Sequence, residues 1–382
     1  MDNIFTSQTP TSPPVSNERF AKLKNFFRRY RKPILIASPI ILLAVIGGLI
    51  WYLTMPAPTP PETVTTPVAE EPKPTTAPSL LNGVIVSNDV ANRRVVAAMI
   101  ENSTPARPQA GLTSADVVYE AVTEGGITRF MGLYQQTYPD KAGPVRSARS
   151  YYIDWLSEFD AIYAHVGGSP TALAHISSYG IKDAGPFSSA YHREPKAGVA
   201  TEHTDFVNLA QVYSIGTTTK GWSTTNDFSP WKFKDPSATP TATGPVTIKF
   251  SSSDYDVKWD FDTTANQYSR TLAGTAHKDR VTGEQIKAGA IVVMTVQNSS
   301  NGVYQSIAGH EAEWTMNTIS SGNVTVFEDG TKIDGQWKKP TRTDRTRFYD
   351  SAGQEISINR GKIWVEVVPQ TGSFSVAAAP SA

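Results

Sequence analysis

The stretch GPVRSARSYYIDW, from Gly143 to Trp155, sets two arginines ahead of an apolar stripe made by Tyr152, Trp155, Leu156 and Phe159. That i, i+3, i+4, i+7 spacing predicts one buried face of a helix. Gly143 and Pro144 interrupt whatever precedes it, and Ser147 reads as the N-cap. Arg146 and Arg149 then stand at the helix start, where the helix dipole is positive and favours anions. A negative group must offset them, either a carboxylate of this chain or a bound anion. Arginine offers a planar fork of donors to carboxylate or phosphate, so the chemistry to expect is anion recognition.

Other groups of the right type gather nearby in sequence. Glu120 and Glu124 surround the end of one strand, before the turn Gly125–Gly126, and Arg129 follows on the next strand. His165 closes a short strand before Gly167, Gly168 and Ser169, a second Gly-rich turn into a helix. His203 stands beside Glu202 at the start of a third helix. The expected ligand-binding set is therefore Glu124, Arg129, Arg146, Ser147, Arg149, His165, Ser169 and His203. An enzyme acting on glycan or phosphate bonds of the cell wall would use Glu120 or Glu124 as acid/base. His165 or His203 would partner it, and the arginines would stabilise charge. The plain alternative is a structural arginine–carboxylate network, or a scaffold for a partner protein. Ser147 and Ser169 lack the G-x-S-x-G elbow, and there is no HExxH, GxGxxG or GxxxxGK[ST] motif. No metal and no cofactor are expected. In DGQWKKPTRTDRTRFYD, Lys338, Lys339, Arg342, Arg345 and Arg347 lie among aromatics, a pattern for anionic polymers or for a solvated β-edge.

The elements that must hold these groups fall into two regions. In residues 80–234, RRVVAAMIEN, ADVVYEAVT, ITRFMGLYQQ and AIYAHV read as strands. The Arg146 helix, TALAHISSY (N-cap Ser169, Pro170 at N1, C-cap Gly180) and ATEHTDFVNLAQVY read as helices. The order predicts an α/β or α+β domain. In residues 245–369, VTIKF, YDVKWDF, QYSRTL, AIVVMTVQ, NVTVFEDG and KIWVEVV predict a mostly β domain. Residues 370–382 read as a disordered tail.

The N-terminus sets the compartment. RFAKLKNFFRRYRK carries seven basic and no acidic residues and precedes PILIASPIILLAVIGGLIWYLTM. About 20 apolar residues suffice to cross a bilayer. Basic flanks stay in the cytoplasm, so residues 1–33 are expected as a cytoplasmic tail, 34–55 as a single transmembrane helix, and 56–79 as a Pro-rich linker. The bulk is expected outside the cell membrane. The chain has 35 Lys+Arg against 35 Asp+Glu, a balance that gives no pull toward nucleic acid. It has no cysteine, which excludes disulfides, thiolate sites and a lipidated-cysteine anchor.

The segments ARPQAGLTSADVVYEAVTEGGITRFMGLYQ, GPVRSARSYYIDWLSEFDAIYAHVGGSP and DGQWKKPTRTDRTRFYD with GQEISINRGKIWVEVVP resemble the YerB-like bacterial lipoprotein family. Both regions of that family are domains of unknown function. The resemblance implies a bacterial, extracytoplasmic, membrane-tethered protein. This chain departs from it by offering an apolar helix where many relatives use a lipidated cysteine. The resemblance brings no reaction, so the expected role rests on the residues: binding of an anionic envelope ligand.

Overall fold

The computed structural model describes residues 23–26, 28, 31–56, 74–185, 188–306 and 309–378; the side chains of 31–38, 301 and 304–311 are outside the description. Most of the expected cytoplasmic tail and linker also lies outside it. The chain divides into two compact units, residues 1–72 and 73–382. In the first, helix α1 runs Arg31–Thr54 with Pro39 inside it. Its described apolar side chains, among them Leu43, Leu49 and Trp51, are exposed. Among the described residues no helix is long and apolar enough to cross a membrane.

The second unit is built on strands. Its N-terminal part supplies β1 (Val96–Glu101), β2 (Val117–Val122), β3 (Thr128–Tyr134), β4 (Ile162–Ala164) and β5 (Lys182–Asp183). The C-terminal part supplies β6 (Val246–Lys249), β7 (Asp256–Asp262), β8 (Gln267–Leu272), β9 (Ala290–Val296), β10 (Ser321–Glu328), β11 (Thr331–Lys338), β12 (Arg347–Asp350), β13 (Ile363–Pro369) and β14 (Ser373–Val376). The fold is thus mixed in its N-terminal part and mostly β in its C-terminal part. The parts share one ten-stranded sheet, in the order β12–β11–β10–β9–β13–β2–β3–β1–β4–β5. Its join is β13, parallel to β9 on one side and to β2 on the other. Strands β1, β2, β3 and β13 are buried along their whole length, as expected for strands covered on both faces.

Alternation along these strands feeds two cores. Ala97, Met99, Tyr119, Ala121 and Met131 face helix α2 (Ser150–Leu156), which buries Tyr151, Tyr152 and Trp155 against them. Ala98, Ile100, Val118, Phe130 and Trp364 face the second sheet, where β8, β7, β6 and β14 lie in that order. Helix α3 (Pro170–Ser178) follows the sequence signals: Ser169 Oγ accepts from Ala172 N and Pro170 opens the helix. Gly180 follows the C-cap Tyr179 with φ +63°.

Several expectations are corrected. The N-cap of α2 is Arg149, not Ser147, and no side chain caps the helix. ATEHTDFVNLAQVY is not one helix. It forms a 3-10 turn Thr201–His203, a strand Asp205–Val207 and only then helix α4, Leu209–Ser214, capped by Asn208. The strand pairs with Tyr191–Arg193, and that pairing overrides the helical spacing. The end of the expected linker belongs to the fold, since Thr76–Pro78 pairs with Ile85–Ser87. So does the start of the expected tail, where β14 pairs with β6. Finally, the basic run near residue 340 is not a solvated edge throughout. Lys339 and Arg345 are buried and hold Glu158 at 3.0 and 3.2 Å, with Arg345 against the Trp231 and Phe159 rings.

Candidate functional site

Three strand ends build the candidate site. Glu101 closes β1 and is the register partner of Arg129 near the start of β3. Strand β2 runs out at Val122, and the turn Glu124–Gly126 returns to β3. The turn closes because Gly125 and Gly126 adopt φ +67° and +75°, a region that costs glycine little. The segment 143–149 lies along the end of β1: Glu101 N donates to Pro144 O and Arg146 N to Met99 O. Gly143 is required there, because a Cβ on it would meet Val145 N at 2.9 Å and Asp205 O at 3.0 Å.

The arginines divide between two carboxylates. Arg149 is gripped by Glu124 in a fork, with Nε at 2.6 and 2.8 Å and Nη2 at 2.6 Å from its oxygens. Arg146 Nε lies 3.2 Å from Glu101 Oε1. Among the described residues Arg129 has no carboxylate within ion-pair distance: Nη1 donates to Ser147 O at 2.6 Å, and its buried Nε has no hydrogen-bond partner there. Burial, followed by repulsion from Arg149, pulls the Arg129 guanidinium down to about 10, against the pull of Glu124. It stays a cation at neutral pH. Among the described residues, Arg129, Arg146 and Arg149 thus gather around Glu101 and Glu124, and Asp205 acts on Arg146 from the neighbouring strand.

Glu101 is the hub. Its Oε1 also accepts from Ser103 Oγ at 2.8 Å, and its Oε2 faces His203 Nδ1 at 2.9 Å. Arg146 and His203 are the solvent-reaching members, with side chains 27% and 15% exposed. Neither Nη1 nor Nη2 of Arg146 hydrogen-bonds a described residue. Arg193, on Asp205 at 2.8 Å, adds a further cation on the neighbouring strand.

The expected residues sort accordingly. Glu124, Arg129, Arg146, Ser147, Arg149 and His203 come together. His165 is buried in the wall beneath, stacked on Tyr163 with its Nδ1 donating to Gly167 O at 2.7 Å. Asp183 Oδ2 lies 3.5 Å from its Nε2. Ser169 is fully buried in its capping role. Neither reaches a ligand from outside. Glu120 is excluded outright, because strand alternation turns it to the opposite face of the sheet. There it pairs with Arg270, takes Thr128 Oγ1 at 2.7 Å and is fully buried. It cannot serve as an acid/base in this site. Glu101 went unnoticed in the sequence because only the β1–β3 register brings it to Arg129 and Arg146. Among the described residues no group of three His, Asp or Glu could hold a metal ion.

Comparison with known proteins places this architecture. The chain resembles "Putative lipoprotein YerB" of Bacillus subtilis (strain 168), at 28% identity over 306 residues, 78% of this chain and 87% of that one. The crystal structure of YerB from Bacillus subtilis superposes with a TM-score of 0.67 at 26% identity, covering 78% of this chain and 99% of that one. Residues 81–223 match the model described as the N-terminal domain, and residues 246–365 the C-terminal domain, of a protein of unknown function, DUF3048. The chain belongs to the two-part DUF3048 family, the family of YerB.

Proposed function

We propose that this is a membrane-anchored protein of the cell envelope whose outer body binds an anionic envelope ligand between Arg146, Arg129 and His203. The observation that carries the binding reading is Arg146. Its Nε lies 3.2 Å from Glu101 Oε1, and among the described residues neither terminal nitrogen meets an acceptor, at a partly open surface. A bidentate anion suits the free edge of the Arg146 guanidinium. Anchoring is supported by the apolar run within 34–55, by the exposed apolar side chains of α1 and by the lipoprotein description of YerB. Without cysteine, the anchor here would be the helix itself, with the basic flank in the cytoplasm.

Thermal unfolding with and without millimolar phosphate tests the binding. Phosphate should raise the wild-type melting temperature, since a ligand of the native state stabilises by mass action. It should leave Arg146→Gln unmoved. No shift in the wild type sinks the reading and leaves a structural salt-bridge cluster. The topology is tested by protease added outside cells with a permeable outer layer. The body should be lost and a small N-terminal piece protected, and full protection of the body would reverse the orientation.

A further inference from the structure

We propose that the ligand carries a hydroxyl group beside its anionic group, as in a phosphorylated polyol or sugar, and that His203 Nε2 accepts the hydrogen bond from that hydroxyl. This rests on the anion-binding reading above and adds a second recognition element to it. The carboxylate of Glu101 is buried, with a side chain 4% exposed, and it receives Ser103 Oγ and lies against Arg146 Nε on one oxygen. The Ser103 hydroxyl and the charge of Arg146 hold it as an acceptor. The imidazole nitrogen 2.9 Å from its other oxygen, His203 Nδ1, must then carry the proton.

A neutral imidazole with its proton on Nδ1 has a lone pair on Nε2. That nitrogen hydrogen-bonds no described residue, and the side chain reaches solvent. The 3-10 turn Thr201–His203 holds the backbone that carries the ring: His203 N donates to Ala200 O, and Thr204 Oγ1 donates to Thr201 O at 2.7 Å. Arg146 and His203 touch the two oxygens of one carboxylate. The free donors of Arg146 and the free acceptor of His203 are thus held on one carboxylate. A bare anion would use only the first, and its charge would meet the lone pair unfavourably. A ligand with a hydroxyl next to the anion satisfies both. Carboxylate-oriented histidine of this kind is how one ring nitrogen is committed so that the other can serve a ligand.

The experiment titrates the full chain in detergent micelles with glycerol 3-phosphate, n-propyl phosphate and inorganic phosphate. Glycerol 3-phosphate and n-propyl phosphate have the same length and charge and differ in hydroxyls. The expected result is a preference for glycerol 3-phosphate of about three- to tenfold, the net worth of one hydrogen bond. In His203→Phe the ratio should fall to about one, whatever the absolute affinities. Equal affinity in the wild type overturns the hydroxyl reading and leaves anion binding standing. A preference that survives His203→Phe overturns the assignment to His203. Failure of all three probes to bind removes the anion site, and this inference with it. If His203→Phe does not fold, the long-range proton–nitrogen spectrum of the wild-type imidazole decides the matter at pH 7.5. A proton on Nδ1 alone supports the assignment; an imidazolium or a proton on Nε2 overturns it.

Discussion

Arg149 and Arg146 meet the electrostatic demand of their position in different ways, and the difference is measurable. Arg149 is 4% exposed and held by both oxygens of Glu124, itself 12% exposed. Replacing Glu124 by Gln breaks a mostly buried, forked ion pair and should cost up to about 3 kcal/mol, as for breaking other buried pairs. Arg146 is partly solvated, so Arg146→Gln should cost under about 1 kcal/mol. Urea unfolding of the two variants checks the contrast. Equal costs would show that Arg146 is as structural as Arg149. The need for a carboxylate was legible in the stretch GPVRSAR, and Glu124 was among the residues named for it. Glu120 was misplaced because closeness in sequence says nothing about which face of a strand a residue takes. Applying the two-residue alternation to VVYEAV and TRFMGLY separates Glu120 from Arg129 once their register is known. Glu101 needed the same register, and no local pattern supplies it.

At the level of elements, what was legible is what is local. Ser169 and Pro170 open helix α3 as their types predict, while its C-cap is Tyr179, one residue before the expected Gly180. Ser169→Ala should cost about 1 kcal/mol through loss of the cap to Ala172 N, with the hydroxyl's burial adding a small void. Thermal unfolding measures it, and an unchanged melting temperature would mean that the cap contributes nothing. Helix α2 shows the opposite case. Its seven residues are anchored from outside, by Tyr151 Oη on Val122 O and by Ala121 N on Tyr152 Oη. Tyr152 and Trp155 were recognised as its buried face, but the start was set two residues early at Ser147. Arg149 takes the cap position because Ala148 N is already committed to Gly167 O and Ser147 O to Arg129. Long-range pairing also decides Asp205–Val207, whose backbone joins Tyr191–Arg193 and Ala142. Helical spacing in that stretch had no means of registering a partner so far along the chain.

The whole second unit is organised by β13, the strand from the C-terminal part that sits between β9 and β2. Its Glu366 is the register partner of Glu120. The two carboxyls share one cation, Arg270, which lies on the Trp364 ring at 4.7 Å and is fully buried. His277 adds no charge, because burial and Arg270 hold it well below its usual range. It accepts from Arg270 Nη1 and donates from Nε2 to Gln109 Oε1 at 2.8 Å. Two facing carboxylates in a dry interface, with Arg270 on Glu120 and Arg107 acting on it from further off, leave one proton to be retained. Glu366 is the group that retains it: burial first, then the charge of Glu120, push its carboxyl well above the ordinary 4.5, against Arg270. Trp259 Nε1 donates to its Oε1 at 2.7 Å, and its Oε2 is buried without an assigned partner, the position for the proton. The folded state therefore holds a proton that the unfolded chain releases above about pH 4.5. The contribution of Glu366 to stability is complete below that value and declines as pH rises toward the raised folded pKa, by up to about 1 kcal/mol per pH unit. Glu366→Gln is neutral in both states and keeps a donor at the same place. Its stability relative to the wild type should rise between pH 5 and pH 8, read by urea unfolding at both. A constant difference between variant and wild type would show that Glu366 is ionised within the fold and that the two sheets are joined across a charged pair.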